Sequence, residues 1–363
     1  MSRGRRQILP IPRLRPGEGR ECTLPATLAV ASGAGYDDLM GASGAAFTAA
    51  IDAETWDPLA AAPLDDATLA RAAWAAGVRV DRVTPPFDEE MRELVFERVV
   101  EAVEAKLPPL IKGAVGPAEF GLIVGYELAR TRPGAELTGE DERRSEERSD
   151  YEDAVILVRT YFDRGEEPTR IGLDALAGEG RGEPYFLDRA ERPPREALAR
   201  EGIARATEAA TSTEAALRAW LAALRDEARW APARPQGAQD LTERGPTHGG
   251  AWAFADHTMR TLLADKRRAA ARFLRSVRDV FPSRAGAELL RAAEAYGKVA
   301  DAAERAGVGA FDPAVAMRFV EGGHRRAWAK GLEGAIAHEA EAHDALRAAH
   351  LLLAGGSAPH TPR

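Results

Sequence analysis

The stretches LIKGAVGPAEFGLIVGY (residues 110–126) and VILVRTYF (residues 155–162) decide the fold class. Their short apolar and β-branched runs predict three strands, over residues 110–115, 120–126 and 155–162. The segment between the second and third runs has no convincing crossover helix, so we expect these strands to be antiparallel. Much of the remaining chain shows helical spacing. The predicted class is therefore α+β, with helices packed on a small antiparallel sheet.

The composition changes near Pro193 and Pro194, where strand signals give way to a chain rich in Ala, Arg, Glu and Leu. We therefore predict a basic amino-terminal extension (1–20), an α+β domain (21–193), an all-α domain (194–354) and a flexible tail (355–363). The almost wholly charged run at residues 139–153 is predicted to be a solvated hairpin extension. The predicted helices cover residues 23–34, 37–40, 65–76 and 88–106 in the α+β domain and 195–229, 251–281, 285–306 and 313–353 in the all-α domain.

Charge and composition exclude several classes of protein. The 363 residues contain 49 Lys and Arg against 57 Asp and Glu, a net charge of −8, which disfavours a nucleic-acid partner. No apolar stretch approaches the ~18–20 residues that cross a bilayer, and the arginine-rich first twenty residues do not resemble a secretory signal. The single cysteine excludes an internal disulfide and a cysteine-rich zinc site. We expect a cytoplasmic protein without a membrane partner.

The single cysteine, Cys22, directly precedes the predicted helix 23–34, whose first turn contains Pro25. Backbone amides and the helix dipole at such a position favour an anion and would stabilise a thiolate. A lone cysteine is also commonly a small buried apolar residue. Position alone therefore allows either a nucleophile or a packing residue.

Five segments of the chain resemble, in order and spacing, a bacterial papain-like family. That family includes the bacteriocin-processing-peptidase-like proteins and the amino-terminal domain of the butirosin-biosynthesis acyltransferase. The LMGxSGxAF pattern is the most specific part of the resemblance, and ADHTMRTLLADKRRAAARFLR (255–275) is similar to the helical tail that members often carry. The resemblance extends from about Glu21 to the end of the last helix and implies that 21–193 is a papain-like domain. The five segments are Cys22, YDDLMGASGAAF (36–47), WDP (56–58), GLIVGYE (121–127) and VRTYFD (158–163).

The resemblance implies a cysteine nucleophile, a histidine base and an acidic or amide residue that orients the base. These roles fall on Cys22, Glu119 and Asp163, so a glutamate stands at the histidine position. The chain has seven histidines, of which His248 is the first, and no glutamine precedes Cys22 at a papain-like distance. A carboxylate beside a thiol raises the thiol pKa, so Glu119 could serve as a base only if burial raised its own pKa by several units.

Histidines of the all-α domain are alternative bases. His257 lies on the polar side of its predicted helix and is expected at the surface, and His248 lies in a Gly- and Pro-flanked stretch. The HEAEAH segment (338–343) differs from the zinc-binding HExxH spacing, so we predict no metal site. Its Glu339 and His343 share a helix face and are interpreted as polar surface residues.

Two glycine-rich stretches, GASG (41–44) and GEGRG (178–182), lack the context of a phosphate-binding loop. The glycines of the first are interpreted as turn geometry. No nucleotide or other cofactor is predicted.

Three functions are consistent with the sequence. The first is a cysteine-dependent acyltransferase or amide hydrolase that uses Cys22. The second is a catalytically degenerate module of the same fold that binds a peptide or a small molecule. The third is a helical interaction protein that forms homo-oligomers through the small-residue faces of its Ala-rich helices.

Overall fold

The fold is mixed α/β. The computed structural model describes residues 5–15, 18–52, 54–128, 154–163, 165–176, 182–230, 248–309, 311–312 and 318–355. The charged run 139–153, residues 178–181 and residues 356–363 lie outside this part of the chain.

The chain divides into two compact units. The sheet unit consists of residues 1–15, 27–34 and 76–192, and the helical unit consists of residues 16–26, 35–75 and 193–363. Segments 21–26 and 35–75, which the sequence analysis places in the α+β domain, therefore belong to the same unit as the long helices.

The sheet unit contains an antiparallel sheet with the strand order β2-β7-β3-β4-β5-β6, and β1 also pairs with β4. The three strands predicted from sequence are β3, β4 and β5, and their antiparallel pairing is confirmed. Strand β1 comes from the predicted amino-terminal extension. The strands are β1 (Arg6–Ile8), β2 (Val78–Arg82), β3 (Leu110–Lys112), β4 (Phe120–Glu127), β5 (Val155–Arg159), β6 (Thr169–Gly172) and β7 (Glu183–Arg189).

Helix α4 (Glu89–Glu104) forms the core of the sheet unit with the sheet. The Asp88 side chain caps the helix by accepting a hydrogen bond from the Met91 amide at 2.8 Å. The helix buries Val95, Phe96, Val99 and Val103 in a cluster that also contains strand residues such as Ile111 and Ile123. One apolar helix face therefore covers one face of the sheet.

Long helices dominate the helical unit. Helix α1 (Thr23–Ser32) begins in this unit and ends in the sheet unit, and the short α5 (Leu173–Leu176) belongs to the sheet unit. None of the described helices is both long and apolar enough to cross a membrane. The helices that lie wholly or mainly in the helical unit are α2 (Tyr36–Ala42), α3 (Asp66–Ala76), α6 (Arg195–Arg225), α7 (Glu227–Trp230), α8 (His248–Val277), α9 (Ser283–Arg305) and α10 (Gly323–Gly355).

The glycines of GASG have two different roles. Gly44 has a φ of 85° and begins a short 3-10 turn, so the predicted turn geometry is correct there. Gly41 lies inside α2, and the Phe273 ring of α8 occupies the place that a Cβ at this position would need. A Cβ on Gly202 of α6 would lie 2.8 Å from both the Gly41 oxygen and the Phe273 ring. Gly41 is therefore required for close helix packing rather than for a turn.

Alanines line much of the buried side of α9. Ala292, Ala293, Ala300 and Ala303 are completely buried. The chain's own helices α8 and α10 pack against α9. The small-residue face of α9 thus takes part in packing within the helical unit.

Candidate functional site

Helix α8 contains three consecutive charged residues that are almost completely buried. The exposed fractions of Asp265, Lys266 and Arg267 are 4%, 3% and 0%. Burial of a charge is costly unless hydrogen bonds or an opposite charge compensate for it. Each of the three side chains has its own set of partners, and Asp265 binds the backbone at Cys22.

The Asp265 carboxylate binds the backbone immediately before α1. Its Oδ2 accepts hydrogen bonds from the amides of Glu21 at 3.0 Å and Cys22 at 3.3 Å, and the Tyr36 hydroxyl donates to the same oxygen. Burial raises the pKa of Asp265, although these hydrogen bonds favour the ionised form. The positive end of α1 is also favourable for an anion. The acidic side chain that lies at this helix start is therefore Asp265.

The Cys22 side chain is completely buried in this polar surrounding. Burial raises its pKa well above the ordinary value, and the Asp265 carboxylate raises it further. The Lys266 ammonium and the Tyr36 hydroxyl act in the opposite direction but do not compensate. The thiol is thus protonated at neutral pH, and its nucleophilic form is disfavoured.

Lys266 connects α8 to the segment that follows α2. Its Nζ donates to the Ala61 carbonyl at 2.7 Å and lies 3.4 Å from both the carbonyl and the hydroxyl oxygen of Thr48. Burial lowers the pKa of Lys266 to about 8. The charged amine therefore opposes folding, even though its donors are used.

The lysine makes stability depend on pH in a defined direction. Between the folded pKa of about 8 and the ordinary value of 10.5, Lys266 is protonated in the unfolded chain and neutral in the folded chain. The free energy of unfolding should therefore rise by about 3 kcal/mol, relative to a Lys266→Met variant, as the pH increases through this window. Urea unfolding of both proteins from pH 7.5 to 10.5 measures the difference.

The comparison with Lys266→Met cancels the opposing effect of Cys22 and Tyr36, whose raised pKa values lower stability at high pH in both proteins. Lys298→Met removes a half-exposed lysine of α9 and is the matched control. A difference between wild type and Lys266→Met that stays constant with pH would show that Lys266 is not desolvated in the folded protein.

Arg267 links α8 to the last helix and to the turn after α2. Its Nε donates to Glu339 Oε2 at 2.8 Å, and its Nη1 donates to the Ala46 carbonyl at 2.6 Å. The exposed fractions of Glu339 and His343 are 1% and 5%, and His343 Nε2 lies 3.3 Å from Glu339 Oε1. The prediction that Glu339 and His343 are surface residues is therefore wrong, because Arg267 supplies a buried counter-charge that the local sequence does not reveal.

The histidine candidates have other surroundings. His257 Nε2 lies 2.8 Å from the Gly309 carbonyl oxygen, and burial lowers the pKa of this imidazole, which is only partly exposed. It lies eight residues before Asp265 on α8, about 12 Å along the helix axis. Helix α8 begins at His248, whose side chain lies outside the described part of the structure.

Within the described part of the structure, no group of three or more His, Cys, Asp or Glu side chains is placed to hold a metal ion.

Glu119 and Asp163 belong to the sheet unit, whereas Cys22 belongs to the helical unit. The Asp163 carboxylate is buried and accepts hydrogen bonds from Arg159 at 3.4 Å, Thr160 at 3.3 Å and Thr169 at 3.1 Å. Glu119 directly precedes β4, and its backbone carbonyl accepts a hydrogen bond from Gly113 at 3.0 Å. The assembly of Cys22, Glu119 and Asp163 into one catalytic site stays a prediction.

The helical unit contains an open cavity of about 520 Å³, one of whose walls includes Tyr36, the residue that donates to Asp265. Arg272 donates to both carboxylate oxygens of Asp37, at 2.7 and 2.8 Å. Arg195 donates to Asp38 at 3.2 Å and to Ser276 at 2.7 Å. The cavity is lined by Glu18, Gly19, Arg20, Gly35, Tyr36, Asp37, Asp38, Arg195, Arg272 and Ser276.

Asp265, Lys266 and Arg267 carry no predicted role from sequence, although all three lie in the segment that resembles the family's helical tail. The sequence nevertheless contains a pattern that indicates burial of some of these charges. Consecutive residues point in directions about 100° apart on a helix, so three adjacent charges cannot all lie on one exposed face of a helix that packs on several sides.

No protein-family model, curated protein or solved structure matches the chain. Its function is therefore inferred from the geometry of its own residues.

Proposed function

We propose that this protein is a non-catalytic member of the papain-like class that binds a small molecule or peptide in the cavity beside Tyr36. The position of the Asp265 carboxylate at the start of α1 carries the proposal. A catalytic thiolate would need this position for itself, and a second anion there raises the thiol pKa. Cys22 then serves as a buried structural residue.

The papain-like assignment is supported by the start of α1 immediately after Cys22 and by the antiparallel strands β4 and β5. It is also supported by the motif segments that resemble the family. The helix-and-sheet arrangement alone is compatible with many functions, so the site decides between an enzyme and a binding module.

The binding half of the proposal is supported by the size and lining of the cavity. Its volume of about 520 Å³ lies within the range of about 300–1,000 Å³ that is typical of small-molecule sites. Through the Tyr36 hydroxyl, the cavity wall is connected to Asp265 and the backbone of Cys22. Tyr36, which accepts a hydrogen bond from the backbone of the candidate nucleophile, is thus part of the wall of the proposed ligand site.

Alkylation of the folded protein tests the role of Cys22. At pH 7.5, iodoacetamide should modify Cys22 at least about tenfold more slowly than it modifies a free-cysteine peptide, because a buried thiol with a raised pKa forms little thiolate. Mass spectrometry of timed samples gives the rate. The same protein unfolded in urea is the internal control and should react at the rate of the peptide. Modification of folded Cys22 faster than the peptide would instead support a cysteine acyltransferase or hydrolase.

A further inference from the structure

We infer that the cavity binds a short peptide with free amino and carboxyl ends, its carboxylate between Arg195 and Arg272 and its ammonium group at Glu18. This inference rests on the proposed function and adds the class of ligand. Three acidic and three basic side chains line the cavity, so their formal charges sum to zero. A wall with this balance favours a ligand that carries both signs of charge over a simple anion or cation.

The two arginines are held in place by acidic residues of α2. Two of the five N–H groups of Arg272 donate to Asp37, so three N–H groups remain. Arg195 donates one hydrogen bond to Asp38 and one to Ser276, so three of its N–H groups also remain. Their side chains are 46% and 43% exposed, so the remaining donors are accessible. Two positioned guanidinium groups match the geometry of a carboxylate, which accepts paired N–H donors.

Glu18 supplies the opposite charge. It is exposed on the cavity wall, and among the residues that the structure describes its carboxylate has no hydrogen-bond or ion-pair partner. The acidic residues of α2, by contrast, are engaged by the two arginines. The charge that remains available to a ligand ammonium group is therefore the Glu18 carboxylate.

The dimensions of the cavity fit a peptide of about three residues. A sphere of 520 Å³ is about 10 Å across, and three extended residues span about 10 Å. A single amino acid would not reach across a cavity of this size.

Isothermal titration of the full chain at low salt with triglycine, N-acetyl-triglycine, triglycine amide and inorganic phosphate tests the inference. We expect triglycine to bind and removal of either terminal charge to weaken binding at least tenfold. Glu18→Gln should weaken binding of triglycine and leave binding of N-acetyl-triglycine unchanged, since the acetylated peptide has no ammonium group. Because Glu18 is exposed, this variant should fold normally.

Arg272→Lys keeps the positive charge but removes the paired donors, and it should weaken triglycine and N-acetyl-triglycine equally. Arg291→Ala, which removes an exposed arginine of α9 outside the cavity, is the matched control.

Equal binding of the capped and uncapped peptides, equally tight binding of phosphate, or no binding of triglycine would overturn the inference. The proposed function would still stand if folded Cys22 reacted slowly with iodoacetamide, and it would fail if Cys22 reacted rapidly.

Discussion

Replacement of Asp265 by alanine should lower the free energy of unfolding by about 3–5 kcal/mol, one of the two largest effects we expect from a single substitution in this chain. The carboxylate accepts from two backbone amides and from the Tyr36 hydroxyl, and Cys22 and Tyr36 are buried in the folded protein. Each buried donor that loses its acceptor costs about 1–3 kcal/mol. Urea unfolding at pH 7 measures the loss.

Two further variants separate the hydrogen bonds of Asp265 from its charge. Asp265→Asn keeps an acceptor oxygen, so it should cost less than alanine, and it should accelerate alkylation of Cys22 because the negative charge that raises the thiol pKa is removed. Asp301→Ala removes a half-exposed carboxylate of α9 that pairs with Arg268 and should cost at most about 1 kcal/mol. Equal losses for Asp265→Ala and Asp301→Ala would contradict the structural role of Asp265.

Replacement of Arg267 by methionine should cost about 3–5 kcal/mol, because it leaves the Glu339 carboxylate buried without its main counter-charge. Arg267 and Glu339 are 0% and 1% exposed, and their ion pair lowers the pKa of Glu339 in spite of burial. The double variant Arg267→Met, Glu339→Leu should recover much of the loss, since no isolated charge then remains in the interior. Chemical denaturation of both variants provides the comparison.

The adjacent residue supplies the control for this experiment. Arg268 is partly exposed and pairs with Glu304 at 2.6 Å on the surface of the helical unit. Arg268→Met should therefore cost at most about 1 kcal/mol. If the double variant at 267 and 339 were less stable than Arg267→Met alone, the buried pair would be contributing through contacts other than its charges.

The sequence predicted the elements that depend on local pattern. The strands near residues 110, 120 and 155 carry uninterrupted apolar runs, and the positions of the long helices follow from spacing and from Pro and Gly at their ends. Strand β2 (VRVDR) was missed because charged side chains interrupt it and because, among the described strands, it pairs with β7 alone at one end of the strand order. Strand β1 was missed because its three residues carry no periodic signal.

The candidate site could be predicted only in part. The position of Cys22 before a helix followed from local sequence, but its electrostatic surrounding did not. The decisive carboxylate, Asp265, comes from a helix more than two hundred residues later in the chain. Likewise, Glu339 and His343 look like surface residues because their partner Arg267 lies on another helix. Helical periodicity describes one element at a time, whereas burial of a charge depends on contacts between elements.

The close packing of Gly41, Gly202 and Phe273 makes three helices interdependent. An alanine at position 41 could be accommodated only if position 273 carried a much smaller side chain, whereas an alanine at position 202 would also meet the backbone oxygen of Gly41. We therefore expect substitutions at positions 41 and 273 to be tolerated in combination rather than singly, and position 202 to require glycine. A distantly related chain could then be recognised by the matched sizes of these three residues, even where its overall sequence has diverged.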